Sequence, residues 1–273
     1  DITNNTVTGI GGGIRVFNGS NPELLNVSIQ NNTSSSNGGG ISYEGLPGNS
    51  TIQTMNRVTI SGNSSSEGVG GGAYLYSSTV NASRTYIQNN AALVKGGGIS
   101  IEWASELNIE NAFISGNILT DGVQGSNVYI GKSDQLIGSN EKLIAMNVNM
   151  IDTVALSNEN LFSMYTNGLV KPLLINSIAI GRLDAAIPTS NFNLNYSYCN
   201  DCSNLLSFAV NPGNLTGSAG FVDFDKGEFD LGDNSLLLSA ATSSFTTVAN
   251  DKYTAPLTDL RGTPRPIPFG SQL

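Results

Sequence analysis

The sequence predicts an all-β solenoid, a right-handed parallel β-helix with about 27 residues per rung and three short strands per turn. Three observations predict it. A motif recurs: Ile2-Thr-Asn-Asn5 precedes Gly11-Gly-Gly-Ile14, Ile29-Gln-Asn-Asn32 precedes Gly38-Gly-Gly-Ile41, Ile60-Ser-Gly-Asn63 precedes Gly70-Gly-Gly-Ala73, Ile87-Gln-Asn-Asn90 precedes Gly96-Gly-Gly-Ile99, and Ile114-Ser-Gly-Asn117 precedes Gly125-Ser-Asn-Val128. The steps from Ile2 to Ile29, Ile60, Ile87 and Ile114 are 27, 31, 27 and 27 residues. Within each unit apolar residues alternate with period two, the mark of a strand.

The first strand of a rung follows the glycines and turns inward the pairs Ile14 and Val16, Ile41 and Tyr43, Ala73 and Leu75, and Ile99 and Ile101. Leu24, Met55, Ala82 and Ile109 mark a second strand. The third carries Val27 and Ile29, Val58 and Ile60, Thr85 and Ile87, and Ala112 and Ile114 just ahead of the asparagine corner. Successive turns then pair as parallel strands about 4.8 Å apart, and parallel crossovers are almost always right-handed. Asn5, Asn32, Asn63, Asn90 and Asn117 stack at the corner, where asparagine tolerates left-handed backbone and its amide can hydrogen-bond along the column. The glycine triplets open the next strand. A phosphate-cradling loop would need Lys-Ser/Thr after the glycines, which is absent here.

Past residue 120 the repeat loosens. Met146, Val148 and Met150 alternate, as do Ile178 and Ile180, and Leu194 to Tyr198 reads as a late rung. The β-helix body is expected over 1–202, with an irregular insertion near 152–172 forming a short helix or lateral loop. Residues 203–273 hold most of the prolines and are expected to cap the open end of the coil within the same domain.

Charged residues are 12% of the 273, and the net charge is −9. Nucleic acid, which needs clustered Lys and Arg, is therefore not an expected partner. No apolar run reaches the ~18 residues of a membrane span, and the start does not resemble an intact signal peptide. The abundance of Ser, Thr, Asn and Gly suits a secreted or cell-surface protein. Cys199 and Cys202 could form a redox pair, half of a zinc site or a local disulfide. With no histidine and no second cysteine pair, the expectation is a disulfide that clips a loop, with free thiols the alternative.

The IxxN…GGGI alternation resembles the repeats of bacterial polymorphic outer-membrane proteins and related pectin-lyase-like β-helix surface proteins. The tail resembles secreted β-helix proteins with a choice-of-anchor domain, through Phe221, Val222, Asp223, Gly227, Phe229, Leu231 and Ser235, then Asp259, Leu260, Gly262, Pro264 and Arg265. It departs from them at Ser235-Leu-Leu-Leu-Ser-Ala-Ala241 and stops at Gly270-Ser-Gln-Leu273. The resemblance implies a longer, exported protein whose other domains are partners of this one.

Two functions remain open. Many such coils are polysaccharide lyases or glycoside hydrolases. The absence of histidine removes His-based acid–base schemes, and the early rungs hold no aspartate cluster of the kind inverting glycosidases use. The favoured alternative is a non-catalytic extracellular module of a bacterial surface protein, acting in adhesion or as a stalk. Its partner would be a glycan or a host or cell-surface molecule. The outward aromatics Phe17, Tyr74, Tyr76, Tyr86 and Phe113 suit stacking on sugar rings, although any sheet favours aromatics. Arg57 and Arg84 hold the same place in successive rungs, with Glu110 near the equivalent place in the next. Tyr74, Tyr76, Arg57, Arg84 and Glu110 are thus the candidate ligand-binding residues. No cofactor is expected beyond a structural Ca²⁺, for which Asp223, Asp225 and Asp230 are the candidates, though they lack EF-hand spacing.

Overall fold

Ile29 can be buried in so thin a coil only if the rungs before and after it place apolar residues directly against it. The computed structural model describes residues 1–46, 52–131, 141–152, 162–167, 172–185, 193–201, 213–215, 221–223, 228–231, 242, 244–246, 250–262 and 264. In it Ile2, Ile29, Ile60, Ile87, Ile114, Met150, Ala179 and Cys199 form one parallel column. Ile29, Ile60 and Ile87 are fully buried. The protein is a parallel β-helix.

The walls divide differently from the sequence expectation. One wall stacks Ile14–Phe17, Ile41–Glu44, Ala73–Tyr76, Ile99–Glu102, Gln124–Gly131 and Phe162–Asn167. The two other expected strands are legs of a single bent wall, continuous in Thr79–Gln88, Glu106–Ser115 and Lys142–Ile151. A further ladder of two-residue strands, Thr6–Val7, Thr33–Ser34, Ser64–Ser65, Ala91–Ala92 and Ile118–Leu119, follows the asparagine corner. In its three middle strands the inward residues are small: Ser34, Ser65 and Ala92 are buried.

The bend in the long wall is a column of left-handed residues: Asn26, Arg57, Arg84, Asn111, Asn147, Asn176 and Tyr196, with φ between 49° and 55°. Each resets the inside–outside alternation. Met146 therefore faces outward while Val148 is inside, and Ala179 fills the interior between Ile178 and Ile180, which pack outside with Ile151, Tyr198 and Leu215. A strict period-two reading misplaces these side chains because it cannot see the bend.

At the asparagine corner the left-handed backbone belongs to the residue before each column member: Asn4, Asn31, Gly62, Asn89 and Gly116, at φ 54–66°. This turns the column asparagines inward, where Asn32, Asn63, Asn90 and Asn117 are buried. Asn63 is typical. Its Nδ2 donates to Asn90 Oδ1 at 3.0 Å and to the Ile29 carbonyl at 2.9 Å, while its Oδ1 accepts from the backbone N–H and Nδ2 of Asn32 at 2.9 and 3.0 Å. The last glycine of each triplet lies against this amide. A β-carbon on Gly40 would stand 2.9 Å from Asn63 Nδ2 and 2.6 Å from the Gly72 carbonyl oxygen, and Gly72 and Gly98 meet Asn90 and Asn117 at the same 2.9 Å. The triplet's first glycine, Gly38 at φ 69°, adopts a left-handed conformation that glycine takes without strain. At Asn127, which replaces the glycine, the side chain enters the column: Asn117 Nδ2 donates to Asn127 Oδ1 at 2.8 Å, and Asn127 Nδ2 continues to Ser163 Oγ at 3.0 Å.

Phe162–Asn167, within the expected insertion, is a rung strand in register with the first wall, Met164 inside and Tyr165 stacked on Tyr129. Residues 153–161 and 168–171 lie outside the described residues. The coil also runs beyond residue 202: Leu215 pairs with Tyr198 in parallel, and Asn214 Nδ2 donates to the Leu194 carbonyl at 2.7 Å. Among the described C-terminal residues, those from Thr242 to Gly262 touch the side of the coil. Thr242 meets Asn176, Tyr253 packs by Met146, the Thr258 carbonyl accepts from Asn111, and Gly262 lies beside Arg84, so the segment runs back towards the first rungs. It docks there because the left-handed bend points amides outward.

Asn63→Ala would strand the Asn32 N–H and the Ile29 carbonyl in the interior, and is expected to cost about 2–5 kcal/mol in a denaturant titration. Asn5→Ala, at the exposed end of the column, should cost under about 1 kcal/mol.

Candidate functional site

Outward positions on the first leg of the bent wall form two columns. One runs Thr54, Asn81, Asn108, Ile144 and Leu173, the other Asn56, Ser83, Glu110, Met146 and Ile175. Both are polar through Asn108 and Glu110 and apolar beyond. The antiparallel hairpin of Ser244–Thr246 and Lys252–Thr254 sets Tyr253 against Ile144, Met146, Leu173 and Ile175, covering the apolar half. A groove of about 400 Å³ remains at the boundary, with Asn81, Ser83, Asn108 and Glu110 on its floor and Tyr253 as its wall.

The floor is partly prearranged. Asn108 Nδ2 donates to Asn81 Oδ1 and to Glu106 Oε1, each at 3.0 Å, and Lys142 Nζ holds Glu106 Oε1 at 3.1 Å. Glu110 keeps a solvent-exposed edge, yet partial desolvation beside the wall raises its pKa above the ordinary glutamate value, while the Arg84 charge pulls it down. Burial likewise raises the Tyr253 phenol, against the lowering effect of Lys142.

The sequence candidates separate in space. Glu110 pairs in register with Ser83, and the true equivalent of Arg84 is Asn111, so Arg84 and Glu110 are offset by one residue and form no contact ion pair. Arg84 binds Asn56 Oδ1 through Nε and Nη2 at 3.1 and 2.8 Å, and Arg57 Nη1 donates to Asn26 Oδ1 at 3.2 Å. Both arginines sit at the left-handed bend, where neighbouring asparagines, not carboxylates, satisfy them. Tyr74 and Tyr76 belong to the other wall. Tyr74 is only 5% exposed, covered on its wall beside Tyr76, so little of its ring is open to the ligand it was expected to bind; burial also raises its phenol pKa. Tyr76 is half-buried and packs against Trp103 in a tilted pair, ring centroids 5.5 Å apart. Tyr86 and Phe113 pack on each other at 6.5 Å, and Phe17 lies under the Arg15 guanidinium, itself bidentate to Glu44. Sequence reasoning missed Asn81, Ser83, Asn108 and Tyr253. The first three share fixed offsets from the repeat, but nothing local shows that a distant hairpin completes their groove.

Cys199 is buried and disulfide-bonded; Cys202, the other cysteine in the chain, lies outside the described residues. Asp225 also lies outside them. Of Asp223 and Asp230 only the strand backbones are described, in the antiparallel pair Phe221–Asp223 and Glu228–Leu231. Among the described residues no group of three or more His, Cys, Asp or Glu converges, and no helix is long and apolar enough to cross a membrane.

Residues 26–44 match the model of the Chlamydia polymorphic membrane protein repeat. In space this stretch runs from the left-handed Asn26 through the Asn32 corner and the glycine triplet to the end of Ile41–Glu44. No curated protein and no solved structure matches the chain.

A carboxyl-detected NMR titration should place the Glu110 midpoint above that of a free glutamate, and Arg84→Gln should raise it further by removing the opposing charge. A midpoint that falls in Arg84→Gln would contradict this electrostatic picture.

Proposed function

We propose that the chain is a non-catalytic display module of a bacterial surface or outer-membrane protein, acting in adhesion or as a stalk and presenting its walls to glycans or a cell-surface partner. The observation that carries this reading is the uninterrupted buried column of asparagines, with the aliphatic column beside it. Together they make a coil whose shape is set inside and whose outer residues are free to serve as a contact surface. The repeat match over residues 26–44 supports the surface assignment. A pectin-lyase-like ancestry fits the same fold.

The test is display. Fused to an outer-membrane anchor on a bacterial host, the chain is expected to raise attachment to cultured epithelial cells or glycan-coated surfaces several-fold over the anchor alone. Incubated with pectin or alginate, it should release no unsaturated uronate. Product release would overturn the non-catalytic reading, and attachment equal to the anchor alone would overturn the adhesive one.

A further inference from the structure

We infer that the groove between the bent wall and the Tyr253 hairpin is a binding site for an uncharged saccharide. This deepens the display reading by assigning a ligand class to one place on the surface, and it rests on that reading.

The groove joins two chemistries that a pyranose also joins. Its floor offers the amides of Asn81 and Asn108, the hydroxyl of Ser83 and the carboxylate of Glu110, all side by side on adjacent strands. Rows on neighbouring strands lie about 4.8 Å apart, and alternate residues along a parallel strand about 6.6 Å apart, a grid on the scale of the hydroxyls around one sugar ring. The wall is aromatic and aliphatic: Tyr253 stands on Ile144 and Met146, giving the C–H face of a sugar a surface to stack on. A lipid or apolar peptide would leave the floor unsatisfied, at the cost of burying unpaired polar groups.

Charge selects among saccharides. Around the groove the charges of Glu106, Asp251 and Lys142 act on Tyr253, and that of Arg84 acts on Glu110. Lys142 is engaged by Glu106 and the Arg84 guanidinium by Asn56, which leaves the Glu110 carboxylate as the charged group on the floor. A uronate or sialylated sugar would meet that negative charge, and the chain's net charge of −9 adds long-range repulsion. A neutral hexose meets neither penalty, and its hydroxyls donate to the carboxylate.

The experiment uses the full chain against immobilised neutral gluco-, manno- and galacto-oligosaccharides beside oligogalacturonates, followed by titration calorimetry on the best binder. Neutral sugars are expected to bind and oligogalacturonates not. Asn81→Leu with Asn108→Leu, both partly or fully solvent-facing in the free groove, should weaken binding tenfold or more, consistent with losing two hydrogen bonds at about 1 kcal/mol each. Tyr253→Phe should retain binding and Tyr253→Ser should lose it, with circular dichroism checking that each variant keeps its fold. Trp103 is the single tryptophan; it follows Ile99–Glu102 at the end of the other wall, against Tyr76 and outside the groove lining, so its emission should not change on binding. Binding that shifts Trp103 emission, or that Tyr76→Ser abolishes while the asparagine pair does not, would move the site to the other wall and overturn the inference. Preference for oligogalacturonates would overturn it as well. If no neutral sugar binds while the displayed chain still attaches to cells, the groove proposal falls and the display reading stands; if attachment fails too, both fall.

Discussion

The contact between a buried asparagine amide and the α-carbon of a glycine on the neighbouring strand is the constraint on which this coil depends. Each column asparagine must turn inward to bond with the next, and it can do so only where the facing residue has no side chain. Gly13, Gly40, Gly72 and Gly98 meet that need: a β-carbon on any of them would stand 2.9 Å from the Nδ2 of Asn32, Asn63, Asn90 or Asn117 respectively, too close to be accommodated. A triplet's last glycine and the corner asparagine it faces belong to successive rungs, about twenty residues apart in sequence, but they are two halves of one joint. Buried amides of this kind are costly unless every donor and acceptor is matched, so the column also fixes the register between rungs: a slip of one residue would leave a run of amides unpaired.

This explains which parts of the sequence were informative. The repeat period, the aliphatic columns and the corner asparagines were legible because they occupy interior positions where neighbouring rungs demand the same residue type. The left-handed bend was not, because its requirement falls on the backbone and the side chains point outward. Asn26, Arg57, Arg84 and Tyr196 share one conformation and no common chemistry. Asparagine recurs there at 111, 147 and 176; Asn111 and Asn176 use the outward amide to hold the C-terminal segment, and Asn147 Nδ2 donates to Asn111 Oδ1 at 3.4 Å. The two-residue ladder carried a fainter signal: a small residue two places after the three middle corner asparagines, at Ser34, Ser65 and Ala92, with Val7 and Leu119 in the outer rungs.

The loosening of the repeat after residue 120 has a physical account in side-chain substitution. Asn127 stands where a glycine stood and supplies from the opposite strand the amide the column would otherwise lack. In later rungs a different interior ladder takes over: the Val148 N–H donates to Ser177 Oγ at 3.2 Å, Ser177 N–H to Ser197 Oγ at 3.1 Å, and Ser197 N–H to Asn214 Oδ1 at 3.1 Å. Buried backbone donors need acceptors in any rung, and once the corner motif is gone, hydroxyls beside the bend provide them.

Because the fold is specified from within, the outer face of each wall is free of structural duty except where something covers it. On the first leg of the bent wall that exception begins at Ile144 and Met146, one rung after Asn108 and Glu110. The change from polar to apolar at that line has no cause inside the coil, where Leu107, Ile109, Leu143 and Ala145 are equally buried on both sides of it. Its cause is the hairpin, whose Tyr253 needs an apolar footing. The hairpin's edge therefore turns an otherwise flat sheet into a groove, and the polar residues just short of that edge become its floor.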